Sequence, residues 1–255
     1  MFWGKKRRFI GAFAIAAAAL LLALGGGAYA MGPVSVPLPT IETTFSSKIT
    51  PRKLSSRGRV PVSLNLAESI RNRDGSHPPA LQELGLDFDR HWELSVKGVP
   101  ICGPHSSLQP REETISRCED AKVGSGTLWV EVAFPEQAPV EISGSVNVYN
   151  FGVHDGRTDL LLYTYLHAPV TGAIAAPLKI RRRGNGIYGW EGTLSMPKIA
   201  NGAGSVTRLS LNFDKGIFSA GCPTGKWQGR GDARFADGTI ASSTLIQYCR
   251  TVASG

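Results

Sequence analysis

The chain has 255 residues, with 19% charged side chains, 30 Gly and 16 Pro. So few charges and so many helix breakers exclude a coiled coil, a helical bundle and charge-driven disorder, while the length is ample for a buried core. The formal charge is +8, but the 28 Lys and Arg fall to 24 once Lys5, Lys6, Arg7 and Arg8 are set aside, against 20 Asp and Glu. That residue of +4 is mild and does not call for nucleic acid.

Residues 1–30 read as a signal peptide. Lys5–Arg8 is a basic start, Phe9–Leu24 is an apolar run broken only by Gly11, and Ala28-Tyr29-Ala30 has the small-x-small pattern of a cleavage site. Left uncleaved, residues 9–30 would be long enough to act as a membrane anchor. In either case the remainder is expected beyond the membrane, secreted or extracytoplasmic. Cysteine usage agrees. Cys102, Cys118, Cys222 and Cys249 all follow the leader, and an even count in an oxidising compartment predicts two disulfides. The expected pairing is Cys102–Cys118 and Cys222–Cys249, each bracketing a local unit. The competing reading, a metal site from Cys102, His105 and Cys118, lacks a second spaced pair. No metal and no cofactor is expected.

Residues 31–59 hold Pro33, Pro37, Pro39 and Pro51 among many Ser and Thr, with Lys48, Arg52, Lys53, Arg57 and Arg59. This composition predicts a basic linker that could end as an edge strand. From residue 60 to the end the hydrophobic period is two. Val60, Val62, Leu64 and Leu66 alternate with polar or small neighbours, as do Leu84, Leu86 and Phe88; Trp92, Leu94 and Val96; Val130, Val132 and Phe134; and Leu209, Leu211 and Phe213. Such alternation puts one strand face in the core and the other in water. One short helix is expected over Pro110–Ala121. Arg90-His91, Gly184-Asn185-Gly186 and Asp237-Gly238 are expected turns, the last as a type I′ hairpin. Gly124-x-Gly126 and Gly202-x-Gly204 each enter a strand, which leaves room for two pseudo-repeated sheets. The fold class is therefore all-β: an antiparallel β-sandwich or barrel of about ten strands, occupying residues 60–255.

Several short motifs recur as a set. They are Ser76-His77-Pro78-Pro79-Ala80-Leu81 before Asp87-Phe88-Asp89, Gly124-x-Gly126-Thr127 before Ala133–Gln137, Cys222-Pro223-x-Gly225-Lys226, and Phe235-x-Asp237-Gly238-Thr239. Over Arg52–Arg250 the chain resembles a family of secreted proteins from soil actinobacteria. The resemblance implies export and a β-rich fold, and it carries no site residue.

Chemistry-bearing motifs are sparse. Ser195-Met-Pro-Lys198 matches Ser-x-x-Lys without its companion boxes, and Gly221–Lys226 is a residue short of a phosphate loop. His154, Asp155 and Asp159 surround a turn, where a histidine beside carboxylates could act as general base. Asp87 and Asp89 share one strand face and could form an acid pair. His77, before two prolines, reads as a turn cap, and Trp129 and Trp227 as core. The stronger binding candidate is Lys179, Arg181 and Arg183 on one strand face, with Tyr188 and Trp190 on the next strand; cations beside rings suit an anionic envelope polymer or lipid headgroups. The sequence thus points to an exported, non-catalytic envelope protein with a binding or structural role. The alternatives are an extracellular hydrolase or lyase acting on an acidic polymer, and a membrane-tethered assembly subunit.

Overall fold

The structure is a computed structural model that describes residues 29–30, 33–103, 118–167, 171–184, 186–214 and 216–252. The expected leader, residues 1–28, therefore lies outside the described residues, as do His105 and most of the expected helix. No described helix is long and apolar enough to cross a membrane.

The strands in chain order are β1 (Tyr29–Ala30), β2 (Val34–Pro37), β3 (Ile41–Thr50), β4 (Lys53–Ser55), β5 (Val60–Pro61), β6 (Ser63–Asn72), β7 (Leu81–Asp89), β8 (Trp92–Leu94) and β9 (Lys122–Val132). They continue as β10 (Val140–His154), β11 (Arg157–Leu166), β12 (Gly172–Arg182), β13 (Tyr188–Ser195), β14 (Gly204–Phe213), β15 (Phe218–Ala220), β16 (Lys226–Phe235), β17 (Ile240–Tyr248) and β18 (Arg250–Val252). Thirteen of them form one sheet, ordered β1-β17-β16-β7-β13-β12-β11-β10-β9-β14-β6-β3-β2. Every pairing along it is antiparallel except β1 with β17. From β17 round to β2 the sheet curls into a nearly closed barrel.

The all-β class and the period-two reading are thus realised as a barrel. Inward positions make one core: Ile41, Phe45 and Ile49 from β3, Leu64 and Ile70 from β6, Leu160 from β11, Leu178 and Ile180 from β12, and Leu211 and Phe213 from β14 are all buried. Closing the sheet removes most of the free edges that an open sheet would expose.

The ends of the order meet at a seam. Strand β17 comes within 8 Å of β2 and β3 between Cα atoms, yet among the described residues no backbone ladder joins them. Two devices bridge the gap. Tyr29–Ala30 pairs with Thr244–Leu245 of β17, and four residues further on Val34–Pro37 pairs with Glu42–Phe45 of β3, so one stretch of chain touches both lips. Gln247 Nε2 also donates to the backbone oxygen and the hydroxyl of Ser47.

Both expected disulfides are present, Cys102–Cys118 and Cys222–Cys249. Cys102 and Cys118 are bonded to each other and are not metal ligands. Their bridge lies over the outer face of the wall, where Tyr149 and Phe151 of β10 and Leu161 and Tyr163 of β11 form a second, smaller core. The other bridge ties the turn before β16 to the end of β17. Small sheets flank the barrel: β5-β15-β8, and β18 parallel to β4.

Five local readings differ from the structure. Residues 31–59, expected as a linker, supply β2 and the ten-residue β3; Ile41, Thr43, Phe45 and Ile49 already carry the inward alternation, and β-branched Thr favours it. The described part of the expected helix is a 3₁₀ turn, Glu119–Ala121, and the rest lies outside the described residues. The Asp237-Gly238 hairpin forms, but of the two only Gly238 has positive φ, 86°, so it is not type I′. That geometry occurs instead at Asp155 (φ 51°) and Gly156 (φ 72°), between β10 and β11. Arg90-His91 does not join a hairpin, because β8 leaves the barrel to pair with β15. The two Gly-x-Gly strands, β9 and β14, are neighbours in one sheet, and Gly126 is required there: a Cβ would lie 1.9 Å from the Ser210 carbonyl oxygen.

Candidate functional site

Inside the barrel is a cavity of about 90 Å³. Its walls come from β3, β6, β7, β12, β14, β16 and β17, and include Phe45, Leu66, Leu86, Phe88, Leu178, Leu211 and Leu245. Aromatic side chains close it toward the small sheet. Trp92 of β8 meets Trp227 of β16 edge-on at 5.9 Å and Phe218 of β15 at 6.0 Å, and Phe218 meets Phe213 at 5.2 Å. This is the geometry in which aromatic pairs gain most beyond simple burial.

Three acidic residues are among those that line this apolar space, Asp87, Asp89 and Glu68. Asp89, at the end of β7, is 5% exposed and fully partnered. Its oxygens accept from the His91 amide at 2.9 Å, from His91 Nδ1 at 2.6 Å and from the Gln228 amide at 3.0 Å. Glu68, in mid β6, is equally buried at 5%, but among the described residues neither of its oxygens has a hydrogen-bond partner. The strand alternation places it there: Leu64, Leu66, Glu68 and Ile70 have the same parity. In register it sits between Phe45 of β3 and Leu209 of β14, neither of which can donate. Burial alone pushes its carboxyl up to about 8, so at neutral pH the group is mostly the uncharged acid. The signal for Glu68 was present in the sequence as an acid at the inward position of Leu64-x-Leu66-x-Glu68-x-Ile70.

The basic side chains of the arginine-rich strand are not among the cavity-lining residues, although the same strand lines the cavity with Leu178 and Ile180, and its arginines are paired with carboxylates. Arg181 Nε donates to Glu191 at 2.6 Å, Arg182 to Glu93 at 2.7 Å, and Arg183 to both oxygens of Asp87 at 2.9 and 3.0 Å. Arg182 also lies 4.7 Å from the ring centre of Trp190. Trp190 is buried and donates its indole N–H to the Trp92 carbonyl at 3.0 Å. Lys179 is exposed on β12 and Tyr188 half-buried on β13. The five expected binding residues therefore share one hairpin, and its arginines already hold carboxylates. Trp227 is core as expected, whereas Trp129 is half-buried under Arg208, 4.7 Å from its guanidinium carbon.

The expected acid–base set does come together. His154 Nδ1 lies 3.0 Å from Asp159, which also accepts from Arg157 Nε at 2.8 Å. Burial raises the Asp159 carboxyl, but hydrogen bonds and charge from Arg157 and His154 outweigh it and hold the group below its ordinary value. Asp155 is exposed in the turn and His154 is exposed on the strand end. The contact of His154 with Asp159 ties the two ends of a hairpin.

A different trio has the spacing of a nucleophile relay. Glu131 lies 2.7 Å from His77 Nδ1, and His77 Nε2 lies 3.1 Å from Ser205 Oγ. But Ser205 is 1% exposed, and its hydroxyl donates to the Pro78 carbonyl at 2.6 Å. At 1% exposure the hydroxyl oxygen is closed to a substrate, so the trio fastens the 77–78 loop to β9 and β14. The His77 ring thus differs from the turn cap expected of it: its hydrogen bonds go to the distant strands β9 and β14 and not to its own turn.

No family model, no curated protein and no solved structure matches the chain.

Proposed function

We propose that this is an exported, non-catalytic binding protein of the cell envelope whose barrel interior receives a small apolar ligand. The observation that carries the reading is the aromatic- and leucine-lined cavity with a buried, unpartnered Glu68 on its wall. Core packing normally leaves neither a void of this size nor an orphaned carboxyl. The basic hairpin is not the binding surface in this reading, because its guanidinium groups are neutralised within the molecule. Export is supported by the basic-then-apolar leader and by two disulfides, which belong to oxidising compartments.

Xenon tests the reading, since it enters dry apolar cavities without needing a polar partner. Xenon-pressurised methyl NMR of the full chain is expected to shift Leu66, Leu86, Leu178 and Leu211 selectively. Unshifted cavity methyls at saturating xenon would remove the interior as a binding site.

A further inference from the structure

We propose that the cavity selects a small uncharged compound, or the end of a larger one, that is apolar except for a single carbonyl-type oxygen, and that Glu68 donates the hydrogen bond that holds this oxygen. The proposal rests on the interior-binding reading above and adds the chemical class of the ligand.

Geometry sets the size. An engineered cavity of about 150 Å³ takes benzene, with six carbons, so 90 Å³ admits about four non-hydrogen atoms. The walls set the apolar character, with Phe45, Leu66, Leu86, Phe88 and Leu211 around the space. Glu68 sets the one polar requirement. Glu68 is one of the residues that line the cavity, and both oxygens of its carboxyl are buried beside it without a partner among the described residues. A carboxyl held neutral by burial carries one O–H to donate, and a buried donor left unused is costly. A ligand acceptor supplies what the protein does not. A cationic ligand fits less well, because it would place an ion pair in apolar surroundings without further hydrogen bonds to stabilise it.

The other ionisable groups on the cavity wall are already engaged. Asp89 is held by His91 and Gln228, Asp87 by Arg183, and Arg230 by Asp232, with Nε at 2.9 Å from the carboxylate. The flanking neighbours from β3 and β14, Phe45 and Leu209, do not titrate. Glu68 is therefore the group whose protonation governs acceptance of a carbonyl.

Acetone and 2-methylpropene make the probe pair. They have the same shape and four non-hydrogen atoms each, and differ by C=O against C=CH₂. Their dissociation constants are measured by NMR titration of the full chain at pH 6 and pH 9, for the wild type, E68Q and E68L, with xenon binding followed in each. At pH 6 the wild-type preference for the ketone over the alkene is expected to exceed that of E68L about tenfold. It falls toward the E68L value at pH 9, where the carboxylate can no longer donate. E68Q, whose amide donates at any pH, keeps the preference at both. If the ratio is the same in E68L as in the wild type while xenon still binds, the carbonyl assignment is wrong and interior binding stands. If xenon binds to none of the three, interior binding itself is wrong. A ratio that changes with pH in E68Q as in the wild type would place the titrating group elsewhere.

Discussion

Asp89 and Glu68 are both carboxyl groups on the wall of one cavity, and both are 5% exposed. One accepts three hydrogen bonds and the other none. The difference comes from where the strands place them. Asp89 ends β7, where the chain turns into Arg90-His91 and brings backbone and imidazole donors back toward it. Glu68 is in mid β6, where the backbone N–H groups are already used by the ladders to β3 and β14 and the side chains directly across it, Phe45 and Leu209, are apolar. A carboxyl at a strand end can be made structural by its own turn, whereas one in mid-strand depends on what side chains or ligands bring.

The largest expected effect follows from removing the partnered group. Asp89→Ala leaves the His91 and Gln228 amides without their acceptor, and urea unfolding should show a loss of about 3 kcal/mol. A loss below about 1 kcal/mol would mean the cluster contributes little and the contrast with Glu68 is one of geometry alone.

Next is pH. The Glu68 carboxyl titrates near its ordinary 4.5 in the unfolded chain and at about 8 when folded. Between these values the folded state holds a proton that the unfolded chain releases, so the unfolded state binds fewer protons and stability falls as pH rises. The contribution is fully present below pH 4.5 and is gone above about 8, with a slope of at most ~1.4 kcal/mol per pH unit between. From pH 5 to pH 7 that is ~2–3 kcal/mol. Asp159, held below its ordinary value, acts with the opposite sign at lower pH, so the measurement is the difference between wild type and E68Q. Parallel stability–pH curves for the two would refute the elevated Glu68 carboxyl.

A smaller effect of opposite sign is expected at the same position. Glu68→Leu replaces an orphaned acid with an apolar side chain of similar size and should raise stability at pH 7 by ~1–2 kcal/mol. A destabilised E68L would require a donor to Glu68 that the folded structure does not provide.

The barrel walls were largely legible in the sequence, because alternation is a local signal: Leu209-Ser210-Leu211-Asn212-Phe213 reads as a half-buried strand wherever it packs. The disulfide pairing was legible because each pair is short-range, separated by 16 and 27 residues. Strand β3 was obscured by its polar composition; Ser46, Ser47 and Lys48 resemble linker residues until Ile41, Phe45 and Ile49 are seen to share a face. Glu68 was missed for a related reason. An acid after Leu64 and Leu66 looks like the end of a strand, and only Ile70 shows that the inward face continues past it. The contacts of His77 with Glu131 and Ser205 span 54 and 128 residues, and no local pattern encodes such distances.

The same contrast between ladder and side chain extends to the barrel seam. The wall at β10–β11 is held by backbone pairing on either side of a bulge between Asn150 and Val153, and the Cys102–Cys118 bridge packs on its outer face. The β17–β3 junction is held by Gln247 reaching Ser47; the pairing of Tyr29–Ala30 with β17 belongs to the expected leader and is lost if the leader is cleaved after Ala30. Gln247→Ala should therefore cost only about 1 kcal/mol in global stability while acting locally. Amide hydrogen exchange is expected to quicken at Thr244–Gln247 and Phe45–Ser47 and to stay unchanged at Tyr149 and Leu161, because a weak junction opens below the global unfolding free energy. Since Ser47 and Gln247 also line the cavity, local opening there would give a ligand a route to Glu68 without breaking a backbone ladder. Exchange that quickens equally in both walls would show that the seam opens only with the whole barrel, and entry would then have to be sought at the aromatic end, around Trp92 and Phe218.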